Sequence, residues 1–227
     1  MIVNNSRKFI FVHVPKAAGT SVTRELSRYT TFRDLEVGGS RYGEKLQDMY
    51  AARFDLRKHS PARTIAAKAG EAAWKEFFVF AFVRCPFARA YSLFRFLNRW
   101  RDGPHHARVA ALTFDQFITS DLVTKGLIEI ARPQSYWLSD MEGRLLKGID
   151  FIGRVERFDD DFGFILSTVL RKPTVYRTNE RSNVSADPDE WRDALSADAR
   201  AAIEEVYACD FALFDFSRSR GVEAVAA

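Results

Sequence analysis

Lys16, Gly19, Thr20 and Ser21 stand together directly after an apolar run, Phe9 to Val14, that only His13 interrupts. The run predicts a buried strand, and Val22, Leu26 and Tyr29 predict one side of a helix beyond the loop. A strand, a loop of small residues and a helix start make a phosphate cradle. Backbone N–H groups at a helix start point outward, and the helix dipole favours negative charge there. Ala17, Ala18 and Gly19 would let the backbone approach a phosphate closely. Lys16 adds a full positive charge, and Thr20 and Ser21 add hydroxyl donors. The plain alternative is a strand–turn–helix with a solvated lysine. A nucleotide triphosphatase loop places its lysine after the last glycine, with Ser or Thr next for magnesium. Here Lys16 precedes Gly19 and is followed by Ala17.

A second run, Phe77-Phe-Val-Phe-Ala-Phe-Val83, leads into Arg84-Cys-Pro-Phe-Ala-Arg89 and then Ala90-Tyr-Ser92. Pro86 suits the first turn of a helix. Arg84 is therefore expected at the carboxyl end of a strand, where open parallel sheets bind ligands, with Ser92 about two turns into the next helix. Magnesium-dependent nucleotidases would commonly place Asp at such a strand end. Arginine holds phosphate rather than metal. Two grips, each a cation with a hydroxyl, suit a nucleotide with two separate phosphates.

The pair Val14-Pro-Lys-Ala-Ala-Gly-Thr-Ser21 and Phe82-Val-Arg-Cys-Pro-Phe-Ala-Arg-Ala-Tyr-Ser92 resembles the cofactor motifs of sulfotransferases. These use 3′-phosphoadenosine 5′-phosphosulfate (PAPS) as donor and release 3′-phosphoadenosine 5′-phosphate (PAP). The nearer branch is that of the Golgi-type carbohydrate sulfotransferases and their small bacterial relatives. Shorter similarities follow in the same order: Lys58-His-Ser-Pro-Ala-Arg63, Ile152-Gly-Arg-Val-Glu156 with Asp161-Phe162, and Tyr207-Ala-Cys-Asp-Phe211. The resemblance implies an α/β fold, with a P-loop-like, mostly parallel central sheet flanked by helices. It implies that Lys16, Gly19, Thr20 and Ser21 hold the 5′-phosphosulfate end. Arg84 and Ser92 would hold the 3′-phosphate. Cys85 stands where asparagine is common. His59 matches the catalytic base of the carbohydrate enzymes. No metal is implied, and the acceptor is a hydroxyl compound, with a carbohydrate favoured. Lipid-linked sugar, small alcohol and peptide tyrosine stay open. Two other readings are a P-loop nucleotide kinase or nucleotidase and a non-catalytic PAP-binding protein.

Four histidines compete for the base. An ordinary histidine pKa near 6.5 suits general base work at neutral pH. His13 is expected inside a buried strand as a core or supporting residue. His105 and His106 lie in a polar loop. His59 precedes a helix start broken by Pro61. Arg154 and Glu156 lie two apart on an expected strand and would share one face, as a salt bridge or in a site. No Cys/His cluster has metal-ligand spacing.

Alternating elements predict a largely parallel sheet. Strands are expected at about 8–14, 77–83 and 149–155, with a short one at 174–176. Helices are expected at about 19–29, 44–54, 62–69, 87–100, 114–118, 159–170 and 199–208, with Thr113 as an N-cap. Residues 217–227 are expected to fray. At 227 residues, 47% of them hydrophobic, the chain fits a single domain over 1–227 with an ample core. A net charge of +4 suits an anionic ligand, and the absence of a dense basic tract argues against nucleic acid. Two cysteines form no disulfide framework and point to a reducing cytoplasm. No run approaches a membrane span, and the N-terminus leaves no room for a signal peptide, so an unanchored form is expected. Oligomeric state is not legible.

Overall fold

The computed structural model describes residues 1–178 and 190–217. They fall into two compact units: residues 1–83 with 135–178, and residues 84–134 with 190–217. In chain order the first unit begins with β1 (Ile2–Asn4), β2 (Phe9–Val12), α1 (Gly19–Leu26), β3 (Leu35–Glu36) and α2 (Arg41–Phe54). It continues through α3 (Ala62–Ala69), α4 (Glu71–Glu76) and β4 (Phe78–Val83). The second unit holds α5 (Pro86–Arg99), α6 (His106–Ala110), α7 (Phe114–Thr119) and α8 (Asp121–Thr124). The chain returns through α9 (Gln134–Leu138) to β5 (Phe151–Arg154) and α10 (Phe158–Leu170) of the first unit. Helices α11 (Glu190–Asp193), α12 (Ala197–Val206) and α13 (Ala208–Leu213) complete the second.

The sheet of the first unit runs β3-β1-β2-β4-β5. β2, β4 and β5 are parallel neighbours, with Val12 opposite Ala81 and Val83 opposite Arg154. β1 is antiparallel to both β2 and β3, so it alone runs against the other four. The apolar runs are these parallel strands, buried on both faces as parallel strands are. Phe78, Phe80 and Phe82 alternate onto one face. There Phe80 stacks with Phe11 at 5.4 Å, and Phe82 meets Phe158 and Phe162 of α10 at 5.1 and 6.3 Å. Gly153 belongs here by necessity: a Cβ would lie 2.6 Å from the Phe82 ring. Asp150 fixes the β4–β5 register. Its carboxylate accepts the Val79 N–H at 2.8 Å, and its own N–H donates to Val79 C=O at 2.8 Å.

The core of the second unit gathers Phe87, Leu93, Leu97, Phe117, Ile203 and Tyr207. Phe87 stacks flat on Trp191 at 6.0 Å. Thr113 caps α7 in a full capping box with Gln116.

The expected helix at 62–69 has those bounds, and strands and helices around the two motifs differ by a residue or two. The first helix stops at Leu26, with a 3₁₀ turn over Ser27–Tyr29. The expected strand at 149–155 is shorter, and Glu156 lies in a 3₁₀ turn (Val155–Arg157), so Arg154 and Glu156 do not share a strand face. No strand forms at 174–176. The final expected helix is split at Tyr207 into α12 and α13. Of the tail expected to fray, 218–227 lie outside the described residues.

Candidate active site

β2 and β4 are parallel neighbours, so both end at the same edge of the sheet. The loop after β2 turns through two left-handed residues that are not glycine, Lys16 (φ 64°) and Ala18 (φ 58°). Alternation of this kind turns successive N–H groups inward, as in an anion-binding nest. α1 then starts on Ala18 with no side-chain cap and no acidic residue in its first turn. The positive end of the helix is left for an external anion. Donors and charge of this kind fit a phosphosulfate.

Gly19 meets a steric demand that the sequence did not show. A Cβ on Gly19 would lie 1.9 Å from His13 Nε2. The glycine makes room for an imidazole. His13 sits just past β2 and is 3% exposed, stacked on Phe11 at 5.5 Å. Its Nδ1 has no hydrogen-bond partner among the described residues. Burial, followed by the field of His59, holds its pKa well below 6.5.

His59 lies edge-on to His13, with ring centroids 4.6 Å apart. Its Nδ1 is 2.8 Å from the His13 carbonyl. A carbonyl only accepts, so Nδ1 carries the proton and Nε2 presents its lone pair. Burial pushes the His59 pKa down to about 3, with Lys58 and Lys16 adding to the effect against the hydrogen bond to His13. The lysine field places Lys16 within electrostatic reach of both imidazoles.

The other residues of the Lys58–Arg63 stretch build this corner. Ser60 Oγ accepts the Arg57 N–H at 2.8 Å and closes the turn. The Arg63 guanidinium donates to Tyr136 C=O at 2.9 Å and lies over the Tyr136 ring at 4.7 Å. That holds α9, whose buried Trp137 stands 6.2 Å from the His59 ring. Neither His13 nor Trp137 was assigned a site role from sequence. The alternation Phe11, His13 was the available signal for the first.

In the second unit Arg84 follows β4 directly, and Ser92 lies in α5 on the helix side that also carries Cys85 and Ala88. The backbone of Arg84 is clamped. Its N–H donates to Gln134 Oε1 and its carbonyl accepts from Gln134 Nε2, both at 2.8 Å. Gln134 is buried, and its own N–H donates to the buried Asp210 at 2.7 Å. The Tyr207–Phe211 similarity gains its physical meaning here. Tyr207 donates its hydroxyl proton to Ala131 C=O at 2.9 Å, and Arg89 lies over its ring while donating to Ile130 and Arg132 carbonyls. Arg89 is thereby structural. Gln134 had no sequence signal, because a lone glutamine is unremarkable until its fold neighbours are known. His106 Nδ1 is 3.2 Å from the Leu97 carbonyl at the end of α5. Lys16 and His59 thus belong to the first unit, and Arg84, Ser92, His105 and His106 to the second.

Among the described residues no group of three or more His, Cys, Asp or Glu is placed to hold a metal ion, and no helix is long and apolar enough to cross a membrane.

A family model described as the sulfotransferase family matches residues 1–217. The chain belongs to the sulfotransferase family, and with it to the enzymes that transfer a sulfuryl group to an acceptor hydroxyl. No curated protein and no solved structure matches it significantly.

Proposed function

We propose that the donor is PAPS and that the acceptor hydroxyl belongs to a carbohydrate. The Lys16–Ser21 loop, with its inward N–H groups and lysine, receives the 5′-phosphosulfate. Arg84 and Ser92 receive the 3′-phosphate, Arg84 held by the Gln134 clamp. The observation that carries the reading is the His59 imidazole. Its tautomer is set by the His13 carbonyl, its Nε2 is presented as an acceptor, and it lies within the field of Lys16.

In the step this supports, Nε2 takes the proton of the acceptor hydroxyl as its oxygen bonds to sulfur. The bond between sulfur and the bridging phosphate oxygen breaks, and PAP leaves with the electron pair. Lys16 and the loop N–H groups stabilise the charge that grows on that oxygen. Bound donor is anionic and opposes the lysine field that depresses His59, so binding strengthens the base. Cys85 and Cys209, which are not joined in a disulfide, suit a reducing, cytoplasmic compartment.

Calorimetry in EDTA tests the donor. PAP should bind more tightly than AMP or ATP, and Arg84→Ala should remove about 1.5–3 kcal/mol of that preference. Equal affinity for PAP and AMP in the wild type would remove the PAPS reading. A PAP-binding protein that transfers sulfuryl to no sugar would point to a non-catalytic role.

A further inference from the structure

A cavity of about 350 Å³ opens on the first unit between the 31–35 loop, the end of α2 and α3. Tyr50 and Phe54 line it, their rings 5.5 Å apart, together with Phe32. Phe32 is 93% exposed, although its loop is firmly held. Asn5 Nδ2 donates to Arg33 C=O at 2.8 Å, and the Asp34 carboxylate accepts the N–H groups of Ser6 and Thr31 at 3.0 and 2.7 Å. The Arg33 guanidinium lies over the Phe32 ring at 5.5 Å, so an ordered loop presents an aromatic ring and a cation together at the cavity edge.

Two cations and one carboxylate line the cavity. Arg33 and Lys68 both line it, and neither meets a carboxylate within ion-pair distance among the described residues. Asp34 lines it too; against its partial desolvation, the hydrogen bonds from Ser6 and Thr31 lower its pKa and keep it ionised, so the three charges sum to a positive excess. Ring faces with an excess of positive charge suit a ligand that has flat C–H surfaces and an anionic substituent. A sugar ring bearing sulfate or carboxylate has both, and the cavity volume suits a single ring with its substituent. α2 and α3 also flank the turn that carries His59, so one chain segment serves both places.

We propose that this cavity binds an anionic sugar unit of the acceptor, a unit other than the one that receives the sulfuryl group. The assignment rests on the carbohydrate reading of the acceptor. Its test is binding without donor, so the two can fail separately. The full chain would be titrated by saturation-transfer NMR with glucosamine 6-sulfate, glucuronic acid, glucose and inorganic sulfate. One of the anionic sugars should bind about tenfold more tightly than glucose or inorganic sulfate. The two anionic sugars separate the sulfate and carboxylate sources. Phe32→Ala, and the pair Arg33→Gln with Lys68→Gln, should each weaken it about tenfold and leave PAP binding unchanged. All three side chains are exposed, so their loss spares the core. Equal binding of glucose and the anionic sugars, or sugar binding untouched by these variants, would overturn the assignment. Loss of PAP preference with sugar binding intact would count against the donor reading alone.

Discussion

At the scale of single residues, the proposed function gives Lys16 and His59 separable tasks. A lysine acting on the departing oxygen contributes more in the transition state than in the ground state. Lys16→Ala should lower kcat by about 10²–10³ while donor affinity changes much less. Equal losses in affinity and rate would make Lys16 a binding residue only. His59→Ala should retain PAP binding and lose about 10²–10⁴ in rate, with His105→Ala and His106→Ala costing far less. The sequence suggested a base with an ordinary histidine pKa, whereas burial holds the free protein's His59 near 3. kcat/KM reports free-enzyme groups, so its profile should show no ascending limb near 6.5 that depends on His59. Such a limb, abolished in His59→Gln, would show that the imidazole titrates normally.

At the scale of elements, the strand–loop–helix unit links the Lys16–Ser21 loop to His59 through His13. Gly19→Ala forces a methyl into the imidazole, a form of overpacking that costs about 1–3 kcal/mol. The ring must then move, and with it the His59 edge contact. Chemical denaturation and turnover should both register the change. His13→Ala should rescue part of the Gly19→Ala loss, giving a coupling energy of about 0.5–3 kcal/mol in a double-mutant cycle. Strict additivity would mean the ring does not transmit the clash. α2 behaves differently. Gly43 is its one buried residue, so little core packing holds the helix, and its last turn is free to serve the cavity beside it.

At the scale of the whole molecule, the two imidazoles with depressed pKa values link stability to acid. Both His13 and His59 have folded-state pKa values below 6.5, so the unfolded chain takes up more protons between about 3 and 6.5. Their contribution is complete above about 6.5 and is lost as pH falls toward 3. Thermal melting should therefore show a midpoint that drops across this window. His59→Gln should flatten the drop, since glutamine has no proton to gain, and an unchanged slope would place the acid sensitivity elsewhere.

Some of this was legible because it is local. The apolar runs Phe9–Val12 and Phe78–Val83 announce buried parallel strands, Pro86 announces a helix start, and Thr113 with Gln116 announces a cap. The small-residue loop with Lys16 announces the turn between strand and helix. The hidden part depends on partners distant in sequence. β1 and β3 are too short to show a period, and their antiparallel pairing exists only because β2 offers an edge. That Gly19 also makes room for an imidazole is hidden until His13 is seen filling its side-chain space. Glu156 reads as a strand neighbour of Arg154 until the chain tightens into a 3₁₀ turn. Gln134 and Asp210 are 76 residues apart, and only burial brings them together around Arg84. The sequence by itself determined the chemistry available: a cation in a small-residue loop, an arginine after a strand, and a histidine before a proline-broken turn. Tertiary structure decided which imidazole nitrogen is free and how far its pKa falls. Both follow from a carbonyl and from desolvation supplied by residues far along the chain.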